Sequence, residues 1–151
     1  MTSTSAARSN DPRVARIIEA FEGLTSADLP RLGEFYAPDA DFKDPFNEVR
    51  GVPAIRQVFA HMYVALDAPR FVIHDVVAQG DQCLLTWDFI FRFRRYSREL
   101  QTVHGASHLK LDPISGLITL HRDYWDAAEE LYEKLPGVGS LMRWLKRRAN
   151  S

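Results

Sequence analysis

The chain has 151 residues, of which 46% are hydrophobic and 11% aromatic, and this suits one domain with a substantial core and leaves no room for a second. Its formal net charge of −1 provides no broad basic field, so nucleic acid is not expected as a partner. The one cysteine, Cys83, excludes an internal disulfide, a zinc ribbon and a paired-thiol redox site.

The N-terminal residues 1–11 are polar and rich in Ser, Thr and Ala. They lack the apolar core of a secretory signal, and no stretch of the chain approaches the ~18 consecutive apolar residues of a membrane span. We therefore expect a disordered lead-in over 1–11 and a cytoplasmic protein. The main domain is expected over 12–127, and a C-terminal helical extension over 128–151.

Two helical patterns open the domain. The Asn-Asp-Pro segment at 10–12 forms a helix start, because a short polar side chain accepts free amide protons and proline tolerates an early helical position. Apolar residues at helical spacing then predict a helix over about 13–24. Thr25 and Ser26 cap a second, shorter helix. The apolar face of this second helix is predicted to contain Leu29, Leu32, Phe35 and Tyr36.

Proline-containing segments separate the next elements. Pro38 disfavours helical geometry at the residue before it and is expected to end the second helix. A short strand is predicted over about 40–43 and is ended by the Asp-Pro pair at 44–45. The Gly-Val-Pro segment at 51–53 opens a third helix, predicted over about 53–66.

From Arg70 onward the hydrophobic period changes toward 2, and β-branched and aromatic residues become frequent. Four strands are predicted, over about 70–79, 82–94, 100–112 and 117–126. Short turns between them make an antiparallel meander. One face of the second strand contains Cys83, Leu85, Trp87, Phe89, Phe91 and Phe93. Helices followed by a twisted sheet predict an α+β fold in which the sheet wraps the helices.

Two segments carry a resemblance to a known family. Residues 35–45 (FYAPDADFKDP) and 50–55 (RGVPAI) resemble the ketosteroid isomerase and polyketide cyclase-like (SnoaL-like) branch of the nuclear transport factor 2-like superfamily. Tyr124 and Trp125 in the closing strand are similar too. The resemblance covers roughly residues 13–127. It implies a cone-shaped α+β roll with about three N-terminal helices in a highly curved, mainly antiparallel sheet, an interior pocket, and a homodimer through the sheet.

The resemblance also implies roles for individual residues. Asp44 matches the aspartate that acts as the general base of the isomerases. Their oxyanion hole, formed by a tyrosine and a protonated aspartate, falls on Ile17 and Ser107 of this sequence. Because one such donor is worth ~100- to 1000-fold in rate, steroid isomerase activity is not expected.

The closing strand contains a candidate acid–base pair. If Trp125 points into the cone, as the resemblance suggests, Asp123, His121 and Thr119 face the same way. The carboxylate can then hold the imidazole in one tautomer. The predicted catalytic residues are Asp44, His121 and Asp123, which suit general acid–base work. The predicted substrate contacts are Phe59, Trp87, Phe89, Ser107 and Trp125, which suit a small apolar ligand.

Each of these residues also has a structural interpretation. Asp44 can simply end a strand and accept hydrogen bonds from nearby backbone amides. His121 and Asp123 can be a buried polar pair without a catalytic role. The aromatic side chains can be core, and Ser107 a wall hydroxyl. His104 and His108 lie ~13 Å apart on one strand, too far for a shared metal, and neither a metal nor a cofactor is predicted.

The C-terminal extension has two predicted helices, over about 128–135 and 140–148. In the second, Leu141, Trp144 and Leu145 share a face and the remaining residues are largely basic. One interpretation is a weak membrane contact by residues 140–148. The other is packing on the cone or on a partner subunit, because the helix is short.

Three functions remain open at this point. The first is a cofactor-independent isomerase, cyclase or other lyase, or hydrolase, that acts on a small apolar substrate by Asp/His chemistry. The second is a noncatalytic ligand-binding or accessory domain. The third is an assembly module that uses the sheet face or the C-terminal helix. An open cavity containing Asp44 and His121 would favour the first two, whereas the third predicts a filled cone.

Overall fold

The structure is a computed structural model that describes residues 9–95, 98–130, 144–145 and 147–149. Its elements in chain order are α1 (Pro12–Glu22), a 3₁₀ helix (Ser26–Glu34), β1 (Tyr36–Lys43), β2 (Glu48–Arg50), α2 (Val52–Ala65), β3 (Leu66–Gln79), β4 (Gln82–Phe93), β5 (Leu100–Leu111), β6 (Ile118–Tyr124) and α3 (Ala127–Glu130). Most of the predicted lead-in and much of the C-terminal extension lie outside the described residues. Within the described ranges, no helix has the length and apolar character needed to cross a membrane.

Helix α1 begins as the sequence predicts. The Asp11 carboxylate accepts a hydrogen bond from the backbone N–H of Arg13 at 2.9 Å, and Pro12 occupies the first turn. Val14, Ile17 and Ile18 form the buried stripe of the helix. This stripe packs toward the inner face of the sheet and anchors the N-terminal layer of the core.

The second predicted helix is a 3₁₀ helix that ends earlier than expected. Asp28 accepts hydrogen bonds from the backbone N–H and the hydroxyl of Thr25, at 2.8 and 3.0 Å, so the predicted cap forms. The helix ends at Glu34, however. Tyr36, predicted on its apolar face, instead opens β1 and pairs with Ile118 of β6, because long-range strand pairing overrides the local helical spacing.

The six strands form a single sheet in the order β2-β1-β6-β5-β4-β3. The predicted antiparallel meander of β3 to β6 is confirmed, and β1 joins it by parallel pairing with β6. Strand β1 starts at Tyr36 rather than at Ala40, and the short strand β2 was not predicted. Pro38 is tolerated in β1 because the β1–β6 register shifts between Tyr36 and Asp41, where the ladder is interrupted.

Strand β3 begins directly after α2, at Leu66 rather than at the predicted Arg70. Its pairing with β4 shifts register between Asp67 and Arg70, and Ala68 in this bulge has a φ of 48°. Pro69 lies in the same interval on the edge strand of the sheet, where its missing N–H breaks no ladder. Because of this bulge, residues 66–69 lack the regular alternation by which a strand is predicted from sequence.

A bulge in β6 also corrects one predicted orientation. The β5–β6 register shifts between the pairs Lys110–Leu120 and Leu111–Ile118. Ile118 is fully buried and His121 is 5% exposed, although three positions separate them. The prediction that Thr119 faces the interior is therefore wrong. Its hydroxyl instead donates to the carbonyl oxygen of Lys110 at 3.2 Å. From His121 to Trp125 the predicted alternation holds.

The core lies between the helices and the inner face of the curled sheet. The predicted alternation along β4 is confirmed, since Cys83, Leu85, Trp87 and Phe91 are buried while Leu84 is 51% exposed. The fold is therefore the predicted α+β arrangement, with helices packed against a mainly antiparallel, strongly curved sheet.

Candidate functional site

The inner face of the sheet and helices α1 and α2 surround a cavity of about 390 Å³. This volume lies within the range of about 300 to 1,000 Å³ that is typical of small-molecule sites. The predicted contact residues Phe59, Trp87, Phe89, Ser107 and Trp125 all line it. Further aromatic residues that sequence reasoning did not assign to the cavity are Phe21, Phe42, Phe46, Phe71, Phe91 and Phe93.

The aromatic wall is built mainly by β3 and β4. Phe71 stacks on Phe89 with ring centroids 4.6 Å apart, and it meets Trp87 edge-on at 5.5 Å. Phe91 follows Phe89 at 5.2 Å and Phe93 follows Phe91 at the same distance. From Trp87 to Phe93, every second residue of β4 thus contributes a ring to one continuous apolar surface.

His121 and Asp123 contribute the main buried polar pair of the cavity. Nε2 of His121 lies 2.7 Å from Oδ1 of Asp123, and the side chains are only 6% and 14% exposed. They lie two positions apart on β6, so both side chains leave the same face of the strand. The pairing predicted from the sequence is therefore present, and it lies at the cavity wall.

Ser107 and Trp87 extend this pair across two neighbouring strands. The indole Nε1 of Trp87 donates to the Ser107 hydroxyl at 2.8 Å, and that hydroxyl donates to Oδ1 of Asp123 at 2.5 Å. The direction is settled because an indole N–H can only donate. The Trp87 ring lies directly over Gly105, where any side chain would overlap with it. Gly105 therefore gives the ring the space to reach Ser107.

Tyr36 completes the network from the opposite side of the imidazole. Its hydroxyl lies 2.6 Å from Nδ1 of His121. Burial, followed by the nearby charge of Asp123, raises the pKa of Tyr36 well above its usual value, so the phenol keeps its proton. The phenol can then donate to Nδ1, which leaves the imidazole proton on Nε2 to be donated to Asp123. Both polar neighbours of Asp123 thus donate to the same carboxylate oxygen.

The ring of His121 is also enclosed by aromatic side chains. Phe42 lies 4.8 Å away between ring centroids, Phe21 meets it edge-on at 5.6 Å, and Tyr36 stacks in parallel at 5.9 Å. With both nitrogens engaged and three aromatic rings packed around it, His121 is held in one orientation. It is placed to position Asp123 rather than to contact a ligand through a nitrogen.

Asp44 lines the cavity at its edge but is engaged in a turn. Its Oδ1 accepts hydrogen bonds from the backbone N–H groups of Phe46 and Asn47 at 2.8 and 2.7 Å, and from the Asn47 side-chain amide at 3.1 Å. That amide also reaches Oδ2 at 3.1 Å. Nearby, the ring of half-exposed Phe46 meets Trp125 at 5.4 Å. These contacts match the structural interpretation, in which Asp44 ends β1 and holds the turn to β2.

Tyr36 is the main functional candidate that the sequence did not indicate. Its partner His121 follows 85 positions later, and local spacing placed Tyr36 on a helix face. The one available signal was its residue type, because a buried tyrosine hydroxyl usually finds a hydrogen-bond partner. His61 of α2 also lines the cavity and was not assigned to it.

A second histidine–carboxylate cluster lies on the outer face of the same sheet. Asp88 contacts Nε2 of His74 at 2.9 Å and Nδ1 of His104 at 2.5 Å. Hydrogen bonds from His74 and then His104 lower the pKa of Asp88. His108 bonds Gln82 instead, and among the described residues no group of three or more side chains is arranged to hold a metal ion. The homodimer through this sheet face stays a prediction.

Comparison with known proteins agrees with this architecture. The family model for the SnoaL-like domain matches residues 14–121. No curated protein sequence matches the chain. A protein with a ketosteroid isomerase-like fold from Catenulispora acidiphila, in complex with trimethylamine, is 18% identical with a TM-score of 0.69, over 82% of this chain and 92% of that one.

Two further solved structures show the same fold. A protein from Shewanella putrefaciens assigned as a SnoaL-like polyketide cyclase is 18% identical with a TM-score of 0.69, over 82% of this chain and 98% of that one. TerC, co-crystallized with polyporic acid, is 17% identical with a TM-score of 0.68, over 79% of this chain and 95% of that one. At these sequence identities the similarity shows a shared fold and nothing more specific.

Proposed function

The chain belongs to the SnoaL-like domain family, and from this premise we propose that its cavity binds a small apolar molecule and acts on it by acid–base chemistry with Asp123 as the base. One observation carries this proposal. Ser107 and His121 both donate to Oδ1 of Asp123, which leaves Oδ2, on a residue that lines an apolar cavity, without a donor among the described residues.

The surroundings of Asp123 suit proton transfer. An apolar wall keeps water from competing with a ligand for the carboxylate, so a hydrogen bond to Oδ2 is stronger than it would be in water. Asp123 accepts a proton from the ligand at Oδ2, while His121 and Ser107 hold the carboxyl group in place. Return of that proton to a second atom of the ligand completes an isomerisation or a ring closure.

The relatives support a small-molecule role. One solved relative holds trimethylamine, TerC was crystallized with polyporic acid, and a third is assigned as a polyketide cyclase. The proposal extends this general property to the present chain and takes neither of those molecules as its ligand.

Asp123 replaces Asp44 as the proposed base. The resemblance implied that role for Asp44, but the carboxylate of Asp44 accepts from two backbone amides and from the Asn47 side chain. Oδ1 of Asp44 has three donors and Oδ2 shares the Asn47 amide, whereas Oδ2 of Asp123 has no donor among the described residues. We assign Asp44 to shaping the turn at the edge of the cavity.

A second candidate function is ligand binding without turnover. It is favoured because the donors nearest Asp123, namely the indole of Trp87, the hydroxyl of Ser107 and the imidazole of His121, are all engaged within the network. A reaction that builds negative charge on oxygen would therefore lack the donors that usually stabilise it.

Ring opening of 5-nitrobenzisoxazole tests the base directly, because this neutral aromatic probe reacts by loss of one proton to a carboxylate. We expect catalysis by the wild type that falls by about 100-fold in Asp123→Asn, the typical contribution of a general base. Asp88→Asn, the matched change on the outer face, should keep the rate. Binding of the probe without any rate that depends on Asp123 would contradict the acid–base proposal and favour the noncatalytic function.

A further inference from the structure

The cavity has an unusual balance of charge. Its polar lining residues are Asp44, Asn47, His61, Ser107, His121 and Asp123. No lysine or arginine lines it within the part of the chain that the structure describes. Two carboxylates thus line a largely aromatic and aliphatic space without a lysine or arginine beside them, and an anionic ligand would be repelled there.

Three donors beside Asp123 are already engaged with one another or with its carboxylate. The Trp87 indole donates to Ser107, and Ser107 and His121 donate to Asp123. We assign Tyr36 as the donor to Nδ1 of His121, because its buried hydroxyl has no other acceptor among the described residues, and this assignment makes the imidazole neutral. The His121–Asp123 pair consequently carries a net negative charge. What it offers to a ligand is a hydrogen-bond acceptor, and a ligand must supply the donor.

The aromatic wall adds to this preference. The faces of Phe71, Trp87 and Phe89 carry the negative part of the ring quadrupole, which attracts cations within about 6 Å. These rings and Asp123 line the same cavity. The Asp123 side chain is only 14% exposed, so water screens its charge poorly. A cation between the rings and the carboxylate would gain from both.

We propose that the cavity selects apolar amines in their protonated form, with the ammonium N–H donated to Asp123 and the hydrocarbon body packed against the aromatic wall. This inference rests on the proposed function and names its substrate class. The acid–base step is then a transfer of the ammonium proton to Oδ2. The N–H bond breaks, an O–H bond forms, and the electron pair stays on nitrogen, which becomes available for reaction.

Three cyclohexyl compounds with the same number of heavy atoms test this selectivity. They are the N,N-dimethylcyclohexylammonium ion, neutral 1-cyclohexylethanol and the cyclohexanecarboxylate anion. Binding is followed by isothermal titration calorimetry and by tryptophan fluorescence, since Trp87 and Trp125 line the cavity. The ammonium ion should bind ~10-fold or more tightly than the alcohol, because it adds a charge-assisted hydrogen bond and cation–π contacts. The carboxylate should not bind measurably.

Asp123→Asn should reduce the affinity for the ammonium ion to about that for the alcohol, and Asp88→Asn should leave both affinities unchanged. The wild-type series is decisive even if Asp123→Asn does not fold. Equal binding of ammonium and alcohol, or tighter binding of the carboxylate, would overturn the selectivity. If Asp123-dependent turnover of 5-nitrobenzisoxazole persisted in that case, the acid–base function would stand without it. If none of the three compounds bound and 5-nitrobenzisoxazole were not turned over, both the amine selectivity and the acid–base function would be refuted.

Discussion

Two histidine–carboxylate clusters occupy opposite faces of the same sheet. On the inner face, His121 and Asp123 are 2.7 Å apart with side chains 6% and 14% exposed. On the outer face, Asp88 contacts His74 and His104 at 2.9 and 2.5 Å, but the two histidine side chains are 48% and 68% exposed. The residue types and distances are similar, whereas the surroundings differ.

Burial, rather than the histidine–carboxylate pair itself, therefore distinguishes the candidate site. Solvent screens the outer cluster, and exposed ion pairs contribute little to stability. On the inner face, Tyr36 and Ser107 orient each member of the pair, and the apolar wall strengthens every contact. Strand alternation alone separates the two environments, since Trp87 and Asp88 are neighbours in sequence.

Replacing the aspartate by alanine on each face should give the greatest contrast in stability. Asp123→Ala removes the acceptor for Ser107 and His121 and should lower the free energy of unfolding by about 3 kcal/mol, because two buried donors lose their partner. Asp88→Ala should lower it by less than about 1 kcal/mol. Urea unfolding of both variants measures the difference, and equal losses would contradict the contrast between the faces.

Gly105→Ala tests the support of the inner network. The new methyl group would overlap with the Trp87 ring and displace it from Ser107, at a cost of about 1–3 kcal/mol in the free energy of unfolding. The fluorescence of Trp87 should change with it. Gly33→Ala is the control, because a methyl group there meets nothing within 4 Å. Unaltered fluorescence and stability in Gly105→Ala would count against the placement of Trp87.

Tyr36→Phe separates orientation from packing. Loss of the hydroxyl leaves Nδ1 of His121 without its donor and should lower the free energy of unfolding by about 1–2 kcal/mol. In the wild type, ¹⁵N NMR should find the His121 proton on Nε2, and the variant should show a mixture of tautomers. A His121 proton on Nδ1 in the wild type would contradict the assigned direction of the network.

The smallest effect concerns the outer cluster and pH. The pKa of Asp88 is lowered in the folded protein, so its stabilising contribution is present above the ordinary carboxyl pKa of about 3.9 and is lost as pH falls through the lower folded value. Wild type and Asp88→Asn should differ in the free energy of unfolding by less than about 1 kcal/mol at pH 6, given solvent screening, and should converge as the pH falls below the lowered pKa of Asp88. A difference that grew toward acid pH would refute this sign.

Much of the inner face follows from the sequence. Alternation along β4 predicts which side chains face the interior, and the two-residue spacing of His121 and Asp123 predicts that they share a face. These predictions hold because a strand has period 2 wherever its ladder is regular. Thr119 fails for the converse reason, since the bulge beside it resets the alternation.

The remaining features depend on contacts between distant parts of the chain. Local spacing predicts Tyr36 on the apolar face of a helix, and only the pairing of β1 with β6 brings its hydroxyl to His121. Asp44 differs, because its hydrogen bonds to Phe46 and Asn47 are local and match the strand-ending interpretation already available from the sequence. A single sequence carries no record of the contact between Tyr36 and His121. Strands β1 and β3 begin earlier than predicted because each contains a proline, Pro38 or Pro69, which local propensity disfavours in a strand. The register shifts at these prolines accommodate them.

The most direct measurement is a crystal structure of the protein with N,N-dimethylcyclohexylammonium bound, because both clusters present a carboxylate that could attract it. We expect the ammonium nitrogen within about 3 Å of an Asp123 carboxylate oxygen, with the cyclohexyl ring against Trp87 and Phe89. The ion bound at Asp88 on the outer face, with the cavity empty, would contradict the claim that the buried cluster is the functional site.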